Sequence, residues 1–385
     1  MKQNFKKYIL LFLLINTIIS CDTNDQDTFK QDINDQNINN PNGSDPNDPN
    51  PNPNYLGLQS NVDVYVAGAT LNNNGKLKAT IWKNGIATYL TNGSTDAELL
   101  SIAVVNNDVY VAGYEKTSNG IHMAKYWKNG VVTTLTNGGN YGICNSIFIS
   151  GNDVYIAGRV VSNNKVIAVY WKNNTPNYWD VSGAQNAYNS IFVNGTDIYA
   201  FGTLQHAIFN GPYSYAIQYK NTNSNITSNT LGANGQSTHS SANKGIVVGS
   251  DVYVVGYQQV QQNGSSNSIK LWKNGIGTSI TNGTAFADAS SLVVQGTDVY
   301  IGGFESNANL IEVAKYWKNG NAYTLTDGIL NSRVNAIQVY NNDVYSAVEV
   351  KINSTTNEVN IWKNTTLVTA LAGATHVSDM LIIEH

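Results

Sequence analysis

The chain has 385 residues, a formal net charge of −4 and only 12% charged residues, about half the usual share of roughly 25%. So weak a charge supplies no basic field for nucleic acid, which needs clustered Lys and Arg to displace counterions. Asn, Thr, Ser, Gly and Tyr carry the polarity instead, which suits β-structure with many turns.

Taken in chain order, Lys2, Lys6 and Lys7 precede a short apolar core from Tyr8 to Ile19. That core is too short to span a bilayer, which takes about 20 apolar residues, and residues 1–20 read as a signal peptide. It ends on Ile18-Ile19-Ser20-Cys21, which resembles the lipobox of bacterial lipoproteins: apolar residues and a small residue before an acylated cysteine. The resemblance implies lipid attachment at Cys21 and membrane association through that anchor alone. The acidic run from Asp22 to Asp27 is similar to the surface-export signals of Bacteroidota lipoproteins. It implies an outer-membrane, lipid-anchored protein facing the cell exterior. Residues 21–54 are dominated by Asn, Asp, Gln and Pro; with almost nothing apolar to bury, they are expected to form a disordered tether. Acylation of Cys21 would leave Cys144 without a partner in the chain, so Cys144 is expected as a small buried apolar residue.

Residues 55–385 are built from repeats. An Asp-[Val/Ile]-Tyr signature begins at Asp63, Asp108, Asp153, Asp197, Asp251, Asp298 and Asp343, at spacings of 45, 45, 44, 54, 47 and 45 residues. Trp-Lys-Asn follows at Trp82, Trp127, Trp171, Trp272, Trp317 and Trp362, with Tyr219-Lys220-Asn221 in the fourth copy. Each copy reads as four strands. In the second these are Ser101 to Val105, Asp108 to Tyr114, Met123 to Trp127 and Val131 to Thr136, with Lys-Asn-Gly as a hairpin turn. Four-stranded units at this period predict an all-β fold, a seven-bladed β-propeller. The segment from Ser378 to Ile383 matches a first strand with no second strand after it. It is expected to complete the first blade and so remove two open sheet edges.

The copies resemble the HAF family of extracellular repeats, in Ala124, Trp127, Gly130 and Leu135 and again in Ala314, Trp317, Gly320 and Leu325. The His-Ala-Phe run of that family is not present. The resemblance implies extracellular propeller repeats and no particular chemistry.

Alternate loops of a blade fall on one face. The turns between strands one and two and between three and four are short and uniform. The links between strands two and three, and between blades, differ in every copy, so that face carries the candidates. Eight residues before each Asp stand Asn145, Asn189, Asn243, Ser290 and Asn335, with Asp379 read as their equivalent and Leu100 as the exception. They predict a polar ring at the channel rim, as ligand contacts or as turn chemistry. After a recurring Gly (Gly113, Gly158, Gly256, Gly303) come Tyr114, Arg159, Tyr257 and Phe304, and before the inner strands Tyr141, Tyr188, His239, Phe286 and His376. Exposed aromatics beside amides suit sugar rings or a partner protein, unless they anchor loops. Trp179, in the place of Leu90, Leu135 and Leu325, is expected to pack. The fourth copy has an enlarged loop with His206, Phe209, Tyr213 and Tyr215, which breaks the symmetry as a specific site requires.

The five histidines show no metal-ligand spacing, and no metal or other cofactor is expected. Glu115, Glu305 and Glu349 are read as equivalent positions in three blades, a sign of structure rather than catalysis. The expectation is a non-catalytic recognition module for a glycan or a surface protein. The alternative is an extracellular polysaccharide-active hydrolase or lyase, for which a close pair of carboxylates at the channel mouth would be the discriminating feature.

Overall fold

Alternation of β-branched and aromatic residues makes strands of the repeats, and Asn-Gly pairs turn them back. In a computed structural model of the chain, residues 55–179, 185–205, 214–231, 239–260 and 266–385 are described. The signal segment, Cys21, the tether, and His206, Phe209 and Tyr213 lie outside the described residues.

The described strands form seven four-stranded antiparallel sheets, each in chain order from the inner strand outward except the first. Blade two is representative: Ala97–Val105, Asp108–Lys116, His122–Lys128 and Val131–Thr134. In blade one the inner strand is Ala374–Glu384, paired antiparallel with Val62–Leu71. The C-terminal strand thus closes the ring, as the sequence leads one to expect. Inner strands pack on their neighbours all the way round, with Ser332–Tyr340 of blade seven against Ala374–Glu384.

The core lies between blades rather than within them. Among the described residues, seven apolar clusters each join two neighbouring blades. One unites Tyr65, Ala67 and Ala79 of blade one with Leu99, Val111 and Trp127 of blade two. Another unites Tyr110 and Ala112 of blade two with Cys144, Ile156 and Trp171 of blade three. Strand alternation sends Val111 one way and Tyr110 and Ala112 the other, so every blade is a partner in two interfaces. The repeat Trp is the largest contribution, and Trp82, Trp127, Trp171, Trp272 and Trp317 are fully buried. Cys144 is fully buried too, with no disulfide.

The two sequence signatures are halves of one latch. Lys128 pairs with Asp108 at 2.8 Å, Asn129 Nδ2 donates to Asp108 Oδ1 at 2.6 Å, and Asn129 Oδ1 accepts from the Val109 N–H at 2.8 Å. Asn129 and Gly130 take φ of 49° and 81°, the left-handed pair that a two-residue hairpin turn requires. The same Lys–Asp pair recurs in all seven blades. In the fourth, Thr222 replaces Asn as the donor to Asp197. This uniform face is committed to structure.

Candidate functional site

On the opposite face every inner strand carries a bulge, one residue unpaired between two registers. The bulged residues are Leu100, Asn145, Asn189, Asn243, Ser290 and Asn335. The recurring Gly faces the bulge: a Cβ on Gly113 would lie 1.9 Å from the Glu98 carbonyl oxygen, which only Gly avoids. The expected polar ring is real, but its amides point to the next blade. Asn145 donates to the Tyr188 carbonyl at 2.8 Å, Asn189 to Ala242 at 2.9 Å and Asn243 to Ala289 at 2.7 Å. Ser290 and Asn335 continue the series to Val334 and Val377. These side chains clasp blade to blade rather than making turns, and Asn243 and Asn335 also line cavities on this face.

Asp379 does not belong to that ring. Gly68 pairs with Val377 and Ala67 with Asp379, so the bulged residue of the C-terminal strand is Ser378. Asp379 falls one place on, level with Ser101 of blade two, and accepts from Ser101 Oγ at 3.1 Å and the Ile102 N–H at 3.3 Å. It also meets Lys244 Nζ at 3.7 Å. Lys244 is on blade five and Asp379 on blade one, so this ion pair crosses the propeller axis.

Three of the expected exposed aromatics are buried and most of the others half-buried. Tyr114, Phe304 and Tyr188 are 8%, 4% and 1% exposed. Tyr188 packs against Trp179 and Tyr219, with ring centroids at 5.9 and 5.5 Å, and Trp179 is itself in the core as expected. Arg159 and Tyr141 are half-buried against each other, the guanidinium 5.9 Å from the ring centre. Tyr257 and His239 are half-buried and Phe286 is exposed. Among the residues that follow the recurring Gly, Tyr114 and Phe304 enter the blade interface while Arg159 and Tyr257 are only half-buried, so the bulge alone does not set their exposure.

What the face does assemble is charged. A cavity of about 560 Å³ opens beside the channel mouth, among blades six, seven, one and two. Its lining includes Glu98, Glu312, Arg333, Asn335, Glu349, Asn357 and His376. Glu349 was expected to match Glu115 and Glu305, but the register places it elsewhere. Glu115 pairs with Ala97 across the strands, whereas Glu349 pairs with Arg333, the position that Tyr114 holds opposite Glu98. Glu115 and Glu305 bind Lys125 and Lys315 within their blades. Glu349 instead faces the cavity: it accepts from Asn357 at 2.6 Å and Asn335 at 3.2 Å, and pairs with His376 Nδ1 at 3.3 Å.

This environment tunes protonation. The Glu349 hydrogen bond raises the His376 pKa above its ordinary value. Burial raises the Glu98 carboxyl, opposed by His376 and by the Tyr114 hydroxyl that donates to it at 3.0 Å. On the next wall Glu312 and Arg333 form a bidentate pair, and Arg333 lies 4.6 Å over the Phe304 ring. An adjoining hollow of about 80 Å³ is lined by Asn243, Asp288, Phe304 and Arg333. There burial pushes the Asp288 carboxyl up to about 6. Among the described residues, no group of His, Cys, Asp and Glu is arranged to hold a metal ion.

Sequence reasoning saw His376 and Glu349 singly but not their convergence with Glu98. The signal lay in the inner-strand position two before the bulge, which reads Glu98, Ile143, Ala187, Ser241, Asp288, Arg333 and His376. It is the most chemically varied position in an otherwise repetitive strand.

Fold and site together define a seven-bladed β-propeller with one asymmetric charged cavity at its variable face. The chain matches no family model and no curated protein. Among solved structures it is similar to a puromycin-hydrolyzing peptidase of Mycobacterium tuberculosis, with a TM-score of 0.51 and 10% sequence identity. The match covers 82% of this chain and 51% of that one, so the chain spans about half of that protein's length. The likeness is one of fold.

Proposed function

We propose that the protein is a lipid-anchored outer-membrane lipoprotein with HAF-like extracellular repeats, whose propeller is a non-catalytic recognition module for a glycan or a partner protein. One observation carries the recognition reading: the seven-fold scaffold is uniform on one face, while the other gathers Glu98, Arg333, Glu349 and His376 around a single cavity. Glu349 is already oriented by two amides and Glu98 by a tyrosine hydroxyl, an arrangement suited to holding a polar ligand in one pose. Binding of the full chain to glycan and peptide arrays, with Glu349→Gln as the control, tests this. Loss of binding in the variant with an unchanged melting temperature supports it, and equal binding by both proteins refutes it. Cys21→Ser should release the protein from membranes; a variant that still carries lipid refutes the anchor.

A specific observation also favours a second reading, an extracellular polysaccharide-active hydrolase or lyase. Glu98, a carboxyl held toward its neutral form, shares the cavity with a His376–Glu349 pair. A carboxyl whose pKa burial raises, beside an oriented imidazole, is an acid–base set in outline. Assay of a polysaccharide panel for new reducing ends or unsaturated products decides it, and activity that survives both Glu98→Gln and His376→Gln removes these residues from any catalytic role.

A further inference from the structure

Repeats allow each loop to be compared with its sisters. The link between strands two and three closes in the same way in blades one, two and six. The N–H of Gly75, Gly120 and Leu310 donates to the carbonyl of Asn72, Thr117 and Asn307, at 3.0, 2.9 and 2.9 Å. The first two residues are glycines with φ of 70° and 82°, as that left-handed position favours. The third is a leucine with φ of 62° and 83% of its surface exposed. Nothing in the fold benefits from this side chain, since it is strained where it stands and touches mainly solvent.

The adjacent link departs in the same sense. After the turn glycines Gly93, Gly138 and Gly283 come Ser94-Thr95, Gly139-Asn140 and Thr284-Ala285; after Gly328 come Ile329 and Leu330, which are 72% and 41% exposed. Asn307 Nδ2 donates to the Gly328 carbonyl at 3.0 Å, tying the two links together. Three aliphatic side chains therefore replace glycine and small or polar residues on two coupled loops. The residues that follow, Glu312 and Asn331, line the charged cavity. Glu98, deeper in it, accepts a hydrogen bond from Tyr114 and has no ion pair among the described residues.

We infer that Leu310, Ile329 and Leu330 are the apolar anchor of a docking surface for a protein segment that presents aliphatic residues beside a lysine or arginine, the cation entering the cavity toward Glu98. The inference rests on the recognition reading above and chooses protein over glycan within it. Charge complementarity argues for the occupant: Glu98, Glu312 and Glu349 face only Arg333 and Lys351 as permanent cations in the lining. Aliphatic side chains on an exposed rim give a sugar no ring to stack on, while they suit the centre of a protein interface.

The test returns the three residues to those of the sister blades, as L310G/I329S/L330T in the full chain. Sister loops show that the fold accepts these residues, and removing a strained leucine should leave the melting temperature equal or higher. The probes are synthetic peptides carrying an aliphatic pair followed by Lys, with matched peptides carrying norleucine in place of Lys. The intact chain should prefer the Lys peptides, the triple variant should bind them at least about tenfold more weakly, and Glu98→Gln should abolish the preference. Unchanged affinity in the triple variant overturns the inference, as does a fall in its melting temperature. Self-association or binding to neutral vesicles that the triple substitution abolishes would also overturn it, in favour of a second copy or a lipid surface. Glycan binding lost in Glu349→Gln but kept in the triple variant would overturn it while leaving the recognition reading intact. Binding to neither peptides nor glycans would remove both.

Discussion

Asn84 and Asp63 hold each other across the first blade: Nδ2 of the amide donates to Oδ1 of the carboxylate at 2.7 Å, while the amide oxygen accepts from the buried Val64 N–H at 2.8 Å. The amide thus satisfies a strand end and locks a hairpin at once. Asn84→Ala leaves the Val64 N–H without a partner and should cost about 1–3 kcal/mol in chemical denaturation. Asn129→Ala, in the more exposed latch of blade two, should cost less, because water replaces the lost acceptor. Equal losses at both sites would show that burial is not what gives the latch its value.

The C-terminal strand buries Val377 and Met380 completely against blades one and seven. Deleting residues 377–385 should abolish a cooperative calorimetric transition or cause aggregation, because Val62–Leu71 loses its inner partner and the apolar faces of blades one and seven are uncovered together. A truncated chain that melts like the intact one would contradict closure.

Leu100 is the gap in the ring of blade-to-blade clasps, standing where Asn145 and Asn189 donate to the following blade. Leu100→Asn should supply the missing donor to the Cys144 carbonyl and raise stability by about 0.5–1.5 kcal/mol. Asn335→Ala should lower it by a similar amount, read from paired urea melts.

Asp288 gives a pH signature. Burial lifts its carboxyl from 3.8 to about 6 in the folded chain, so between these values the folded state binds more protons than the unfolded one. Stability therefore falls as pH rises through this window, and the penalty is fully present above about 6. Asp288→Asn keeps the oxygen that accepts from Asn243 and Ala289. It should gain on the order of 3 kcal/mol over the natural residue at pH 8 and nothing below pH about 3.8. Melting temperatures of both proteins across pH 4–8 check the sign.

Cys144 is fully buried, which pushes its thiol well above the ordinary range. A thiol reagent should leave it unmodified in the native chain and label it on denaturation. Rapid native labelling would mean that the interface between blades two and three opens readily.

The scaffold was legible because its residues are fixed by local geometry. Asp108, Lys128 and Asn129 recur at one spacing because together they close one hairpin, and Gly113 recurs in six blades because a carbonyl occupies its Cβ position. The site was not legible by counting. Val348 stands where other blades have the recurring Gly, which hid that Glu349 is the counterpart of Tyr114. Asp379 was misplaced by one residue because its strand pairs with Val62–Leu71 from the far end of the chain, so no short spacing ties it to Asp63. Trp179 is placed correctly by analogy with its sisters and Cys144 by the usual burial of an unpaired cysteine, whereas the position of Tyr114, Tyr188 and Phe304 on the variable face carries no information about which way a bulge turns the strand.

The first blade has a consequence for the order of synthesis. Val62–Leu71 leaves the ribosome before the strands of blades two to seven, and its inner partner, Ala374–Glu384, only after them. Until then Val62–Leu71 has an unpaired edge and the apolar surfaces that Val377 and Met380 will cover stay open. A growing chain can mature blades two to six in turn but not the ring, and so long-range a pairing is slow and vulnerable to wrong partners. The nascent propeller would then hold one blade unfinished throughout the synthesis of the six that follow it.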